Sequence, residues 1–140
     1  MVASAPVEPS DALADLVEIS SQIVAAVVFE PSGNVAAAIG GDGDSLARTA
    51  RELLEAASTI RPGVPVTRIE ASTRGGGVFV VREGERLIAA TTTPEPTSGL
   101  VLYDLRTALA KSARAAEPEP EKPKRRRTSK AQGEGGDEAA

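Results

Sequence analysis

The chain has 140 residues, 41% of them hydrophobic, and a formal net charge of −4. This length allows one domain with a modest core. The lack of cysteine and histidine excludes disulfides, thiol nucleophiles, histidine-based catalytic dyads and the usual zinc sites.

The first predicted elements are a helix and the opening strand of a β-hairpin. Leu13, Leu16 and Val17 have helical spacing, and Ser10 before them is a candidate N-cap. The segment 23–30 is apolar on both of its faces, which is typical of a strand that is buried on both sides.

A turn at 31–34 leads into the second strand, 35–39, and a glycine-rich segment, 40–45, follows it. This segment resembles a phosphate loop, but it lacks the Walker lysine and has two carboxylates where phosphate would lie. It also lacks the later glutamate of an EF-hand calcium loop. We therefore interpret 40–45 as a turn and a helix cap.

The next element is a long amphipathic helix that is predicted to run to about Arg61, where Pro62 and Gly63 end it. Its predicted core stripe consists of Leu46, Ala50, Leu53, Leu54, Ala57 and Ile60. Its exposed sides carry Arg48, Arg51, Glu52 and Glu55. Ion pairs between residues four apart would make these a solvated face, and the alternative is a surface for a partner.

The third strand is the most polar one. The segment 66–72 alternates Arg68 and Glu70 on one face with Ile69 on the other. The run 74–77, Arg-Gly-Gly-Gly, is interpreted as the hairpin turn that follows, because glycine supplies the positive φ that tight turns need.

A second hairpin and a last helix complete the predicted elements. The strands 78–82 and 86–91 turn around Gly84, and Ser98 is a candidate cap for the helix. The apolar stripe of that helix consists of Leu102, Leu105, Ala108 and Leu109.

The predicted order is α-β-β-α-β-β-β-α, which contains no parallel β-α-β unit. It predicts an α+β domain with a single five-stranded antiparallel sheet and helices on both faces. We divide the chain into a disordered lead (1–9), a folded domain (10–115) and a disordered charged tail (116–140). The residues from Glu117 onward hold equal numbers of acids and bases, so the net charge belongs to the domain.

Several of these segments together carry a family resemblance. They are the motif Leu13-x-x-Leu16-Val17, the strand 23–28, the turn Ser32-Gly33-Asn34, the helix 46–60, the meander 66–91 and its last strand, 86–90. The pattern resembles the Roadblock/dynein light chain family, in particular the small bacterial members thought to regulate Ras-like GTPases. The resemblance covers roughly residues 10–115.

The resemblance implies a Roadblock/profilin-like sandwich, with the first and last helices on one face of the sheet and the middle helix on the other. It implies that the third strand lies at an edge, and that two copies dimerise through this edge and the middle helix. The implied function is to bind and regulate, or to scaffold, a small Ras-like GTPase. The implied dimer residues are Arg68, Ile69, Glu70, Arg51 and Leu54, and the implied partner residues are Arg48, Glu52 and Glu55.

The tail contains a basic cluster, which consists of Lys122, Lys124, Arg125, Arg126 and Arg127. Such a cluster can bind nucleic acid, anionic lipid or an acidic partner, although it has no neighbouring aromatic residue for base stacking. Flanking glutamates also permit a merely solubilising tail. The alternative function is therefore a dimeric scaffold that acts through its tail.

The composition weighs against catalysis and against a membrane location. Without histidine or cysteine, few side chains can act as a general base near neutral pH. We therefore predict a protein that is not an enzyme, with no catalytic residue, metal or cofactor. No apolar run approaches the ~20 residues of a membrane span, and the first nine residues do not resemble a signal peptide, so we predict a cytoplasmic protein.

Removal of the tail is expected to leave the folded domain intact. After Ala116 the chain has no apolar residue larger than alanine, so the truncation removes almost no core. A chain that ends at Ala116 should melt within a few degrees of the full chain in calorimetry. A large drop in melting temperature would contradict this prediction.

Overall fold

The computed structural model describes residues 8–116, which form three helices and five strands. In chain order these are α1 (Pro9–Ile19), β1 (Ile23–Phe29), β2 (Val35–Ile39), α2 (Gly43–Ser58), β3 (Arg68–Thr73), β4 (Gly76–Glu83), β5 (Arg86–Thr92) and α3 (Ser98–Ala116). The predicted order of elements is confirmed. The predicted lead and the tail with its basic cluster lie almost entirely outside the described residues.

The five strands form one antiparallel sheet in the order β2-β1-β5-β4-β3. The pairs β1–β2, β3–β4 and β4–β5 are hairpins, and the first and last strands pair with each other, for example Val27 with Ala89. Strands β2 and β3 are therefore the two edges of the sheet. The predicted α+β class is confirmed, and so is the edge position that the resemblance implied for β3.

Each face of the sheet has its own hydrophobic core. Helices α1 and α3 cover one face, where the largest buried side chains are Leu13, Phe79, Ile88, Leu105 and Leu109. Helix α2 covers the other face and packs Ala47 and Ala50 with Val27, Phe29 and Leu87. Burial of one large apolar side chain contributes about 1.5–3 kcal/mol, so these two cores hold the helices on the sheet as the resemblance implied.

Strand β1 is buried on both of its faces, as predicted, with one exception. Ile23 and residues 26–29 are buried, whereas Val24 is 53% exposed. The register against β5 shifts between Ile23 and Ala25. This irregularity breaks the alternation of side chains at Val24, which the sequence pattern alone did not indicate.

Two helix ends differ from the prediction. Helix α1 begins at Pro9, after Glu8, whose side chain makes no capping hydrogen bond, so the predicted N-cap Ser10 is wrong. Proline is favoured at the first helical position because its fixed φ suits the helix. Helix α2 ends at Ser58, earlier than predicted, and this leaves Ile60 78% exposed instead of in the core.

No helix among residues 8–116 is long and apolar enough to span a bilayer.

The turn between β3 and β4 is shorter than predicted. Only Arg74 and Gly75 form it, while Gly76 and Gly77 already belong to β4. The positive φ, +141°, is found at Gly76 and not at the turn residue Gly75. Strand β3 itself begins at Arg68, later than predicted.

Candidate functional site

Strand β3 carries three of the predicted dimer residues on its two faces. Ile69 is half-buried and packs against the core under α2, whereas Arg68 and Glu70 are exposed on the opposite face. Only β4 pairs with β3 among the described residues, so the outer side of β3 has no strand beside it. An uncovered edge of this kind is a template for pairing with another chain.

The direction of the backbone groups shows which residues of β3 could make that pairing. The amide of Arg82 donates to the carbonyl of Thr67 at 2.8 Å, so Thr67 faces β4. Because the N–H and C=O groups of successive residues point to opposite sides of a strand, Ile69 also faces β4. Arg68 and Glu70 therefore present their backbone N–H and C=O groups at the free edge.

The side chain of Glu70 links this edge to the last helix. The Ser98 hydroxyl donates a hydrogen bond to the Glu70 carboxylate, although the two residues are 28 positions apart. Ser98 is the first residue of α3 and does not precede it, so the predicted capping role of Ser98 is wrong. The contact instead places a carboxylate at the N-terminus of a helix, where the dipole favours negative charge.

Helix α2 brings the three predicted partner residues together. Arg48, Glu52 and Glu55 line an open groove of about 460 Å³. The other residues that line it are Pro31, Arg51, Leu54, Arg82 and Leu87. We call this set of eight residues the arginine groove.

The predicted ion pairs along α2 do not form. Among the side chains of residues 8–112, the one ion pair with a nitrogen–oxygen distance below 4.0 Å joins Arg82 to Glu85, at 3.9 Å. Neither Arg48 with Glu52 nor Arg51 with Glu55 reaches that distance. Exposed pairs of long side chains gain little energy and lose rotamer entropy, so helical spacing alone does not bring them into contact.

The two predicted dimer residues on α2 lie in different surroundings. A Cβ atom at Gly33 would lie 2.6 Å from a guanidinium nitrogen of Arg51, so this side chain reaches the β1–β2 turn, next to the opposite edge strand. Leu54 is half-buried and packs into the core under α2. In one chain the Arg51 side chain therefore lies at the β1–β2 turn, whereas Leu54 packs against the same core as Ile69 of β3.

A second groove, of about 330 Å³, was missed by the sequence reasoning. It lies beside the first turns of α2. Its lining includes Leu46 and Thr49 of the helix and Val78 and Thr91 of the sheet. Leu46 and Leu53 of the predicted core stripe are only partly buried, and Leu46 packs against the core under α2. A helical wheel places Leu46 and Leu53 on a flank beside the buried Ala47 and Ala50, and this was the available signal.

The glycine-rich segment before α2 is a turn and a helix cap, as predicted. The Asp42 carboxylate accepts a hydrogen bond from the Ser45 amide at 3.2 Å. Gly40 has φ +86°, and a Cβ there would lie 2.3 Å from the Val24 carbonyl oxygen. A Cβ at Gly43 would lie 2.4 Å from that of Ala38. Gly40 thus permits the chain to pass close to β1, and Gly43 permits the close approach of α2 to β2.

Solved structures of other proteins share this fold. A Roadblock/LC7 domain from Streptomyces avermitilis superimposes with a TM-score of 0.64 at 18% identity, over 76% of this chain and 93% of that one. The gliding protein MglB from Thermus thermophilus superimposes with a TM-score of 0.68 at 16% identity, over 83% of this chain and 94% of that one. Profilin IA from Acanthamoeba castellanii superimposes with a TM-score of 0.55 at 14% identity, over 72% of this chain and 93% of that one.

Comparisons of the sequence itself found no match. No family model matches the chain, and no curated protein does. The likeness is thus a similarity of backbone structure. At these sequence identities the fold is shared, but most individual side chains differ. The Roadblock structures superimpose with higher TM-scores than the profilin. The described part of the chain is therefore a domain with the Roadblock/LC7 fold, as the sequence resemblance indicated.

Proposed function

We propose that this protein is a homodimeric interaction module that binds and regulates a small Ras-like GTPase. The observation that carries the proposal is the Roadblock fold, with its likeness to MglB over 94% of that protein. It agrees with the sequence resemblance to bacterial Roadblock proteins that are thought to regulate such GTPases. A cytoplasmic location belongs to the same proposal.

Dimerisation is the first part of the proposal. The free edge of β3 supports it, because Arg68 and Glu70 turn their backbone hydrogen-bonding groups outward. Two copies related by a two-fold axis near Ile69 would pair Arg68 of one chain with Glu70 of the other, twice. The half-exposed flank of α2 with Leu46 and Leu53 would then supply apolar area to the same interface.

Partner binding is the second part. The charged residues Arg48, Glu52 and Glu55 lie together on α2 and line one groove. A GTPase would bind at this groove, whereas the second copy would pair with the outer edge of β3. Regulation would then act through the active site of the GTPase, since this chain lacks a Walker lysine.

The purified full chain is expected to show no GTP turnover above background. Mixed with a partner GTPase that the tagged chain captures from its native cytoplasm, it should change the single-turnover rate of that GTPase. The control is the GTPase with a heat-denatured sample of the chain. Turnover by the chain alone that persists through repurification and disappears on one Asp or Glu substitution would contradict the proposed function.

A further inference from the structure

We propose that the arginine groove is a docking site for a protein segment that presents carboxylate side chains beside an aliphatic one. The proposal rests on the proposed function, because the groove contains the predicted partner residues of α2. It adds the chemistry of the segment that the partner would insert. The positively charged residues that line the groove are Arg48, Arg51 and Arg82.

The groove concentrates positive charge in an acidic chain. No lysine or arginine precedes Arg48 in the sequence, and the sequence pI is about 5.0. Arg48 and Arg51 come from α2, whereas Arg82 comes from β4, so the three arginines that line the groove come from two elements. The lining holds three arginines and two glutamates, a net charge of +1, whereas the whole chain has a net charge of −4, so a carboxylate in the groove would have more positive than negative groups beside it.

These guanidinium groups have unused donors. The Nε of Arg82 donates to the Gly84 carbonyl at 3.0 Å, and the one carboxylate within 4.0 Å of its guanidinium, among the side chains of residues 8–112, is that of Glu85, at 3.9 Å and 86% exposed. Arg48 and Arg51 make no ion pair in the same part of the chain. Each guanidinium has five N–H donors in a planar fork that matches a carboxylate.

The rest of the lining restricts what can bind. Pro31, Leu54 and Leu87 give the groove an apolar part on which an aliphatic side chain can lie. Glu52 and Glu55 lie on the same helix as two of the arginines. A nucleic acid would bring an unbroken row of phosphates against these carboxylates, whereas a protein segment can space its acids to avoid them. The mixed lining therefore favours an acidic–aliphatic protein segment.

The test is a nitrogen-15 NMR titration of the full chain with a short synthetic peptide in which Glu and Leu alternate. The tail would itself attract such a peptide, so its five basic-cluster residues are first replaced with glutamine. We expect salt-sensitive shifts confined to residues 48–55, 31 and 82–87. A matched peptide with Gln in place of Glu should cause no such shifts.

Substitution of the groove arginines should weaken peptide binding selectively. Arg51→Gln and Arg82→Gln are each expected to raise the peptide Kd about threefold or more, as for loss of an exposed ion pair. Arg106→Gln, on the exposed side of α3, is the matched control and should leave the Kd unchanged. The dispersion of each variant's spectrum reports whether it remains folded.

Four outcomes would overturn the proposal: no binding, equal binding of the Gln peptide, shifts that lie outside the groove, or arginine variants that bind like the control. Shifts of the groove residues by a single-stranded DNA oligonucleotide, without shifts by the acidic peptide, would overturn the choice of a protein ligand. If a GTPase binds the chain but the peptide does not, the docking role of the groove is refuted and the proposed function is not. Peptide binding without any GTPase partner would support the groove and refute the proposed function.

Discussion

Replacing Gly76 with alanine is expected to lower the free energy of unfolding by about 2–4 kcal/mol. Gly76 is buried at the start of β4, and a Cβ there would lie 2.0 Å from the carbonyl oxygen of Thr92. Its φ of +141° is also one that L side chains rarely adopt. The clash involves backbone, so no side-chain rotation can relieve it. The loss is a large share of the ~5–15 kcal/mol that stabilises a typical domain.

Urea denaturation of the Gly76→Ala and Gly75→Ala variants measures this effect. Gly75 is the neighbouring turn residue, and a Cβ there would make only an ordinary contact, 3.7 Å from the Thr73 hydroxyl oxygen. Gly75→Ala should therefore change the free energy by no more than about 0.5 kcal/mol. Equal stability of the two variants would show that the Thr92 carbonyl oxygen does not lie as close to Gly76 as in the structure.

Replacing Glu70 with proline is expected to convert the proposed dimer to a monomer while the domain stays folded. The Glu70 N–H points away from β4, so proline there removes no hydrogen bond within the chain. In a two-fold dimer it removes two bonds between chains. At about 1 kcal/mol for each bond, the dimer Kd should rise about 30-fold.

Glu70→Ala is the matched control, because it also loses the contact with Ser98 but keeps the N–H. Sedimentation or light scattering at tens of micromolar should show a dimer for the wild type and for Glu70→Ala, and a monomer for Glu70→Pro. Ile69→Pro is a poorer test, since the Ile69 N–H faces β4 and its loss would weaken the sheet itself. A wild-type monomer at this concentration would refute dimerisation.

Much of the fold could be predicted from the sequence, because the signals are local. The helical spacing of Leu13, Leu16 and Val17 and the apolar run of β1 depend only on neighbouring residues, and both elements are present. Gly33 was expected in the first hairpin turn, and it has φ +101° there. The elements and their order, the antiparallel class and the cap at Asp42 follow from such short-range chemistry.

The candidate site could be predicted only in part. The sequence placed Arg48, Glu52 and Glu55 on one helix, but not the approach of Arg82 from β4 to the same groove. It also grouped Arg51 with β3, whereas the Arg51 side chain lies over the β1–β2 turn. Helical spacing defines which residues share a flank, and it does not define which strands that flank faces.

The sequence by itself determined the order of the elements, the alternation of Arg68, Ile69 and Glu70, and the glycine positions at the turns. Tertiary structure alone decided that Glu70 accepts a hydrogen bond from Ser98, and that Thr92 covers Gly76. The physical reason is range. Periodicity and turn chemistry depend on a few adjacent residues, whereas these contacts depend on how α3 packs on the sheet and on which strands become neighbours.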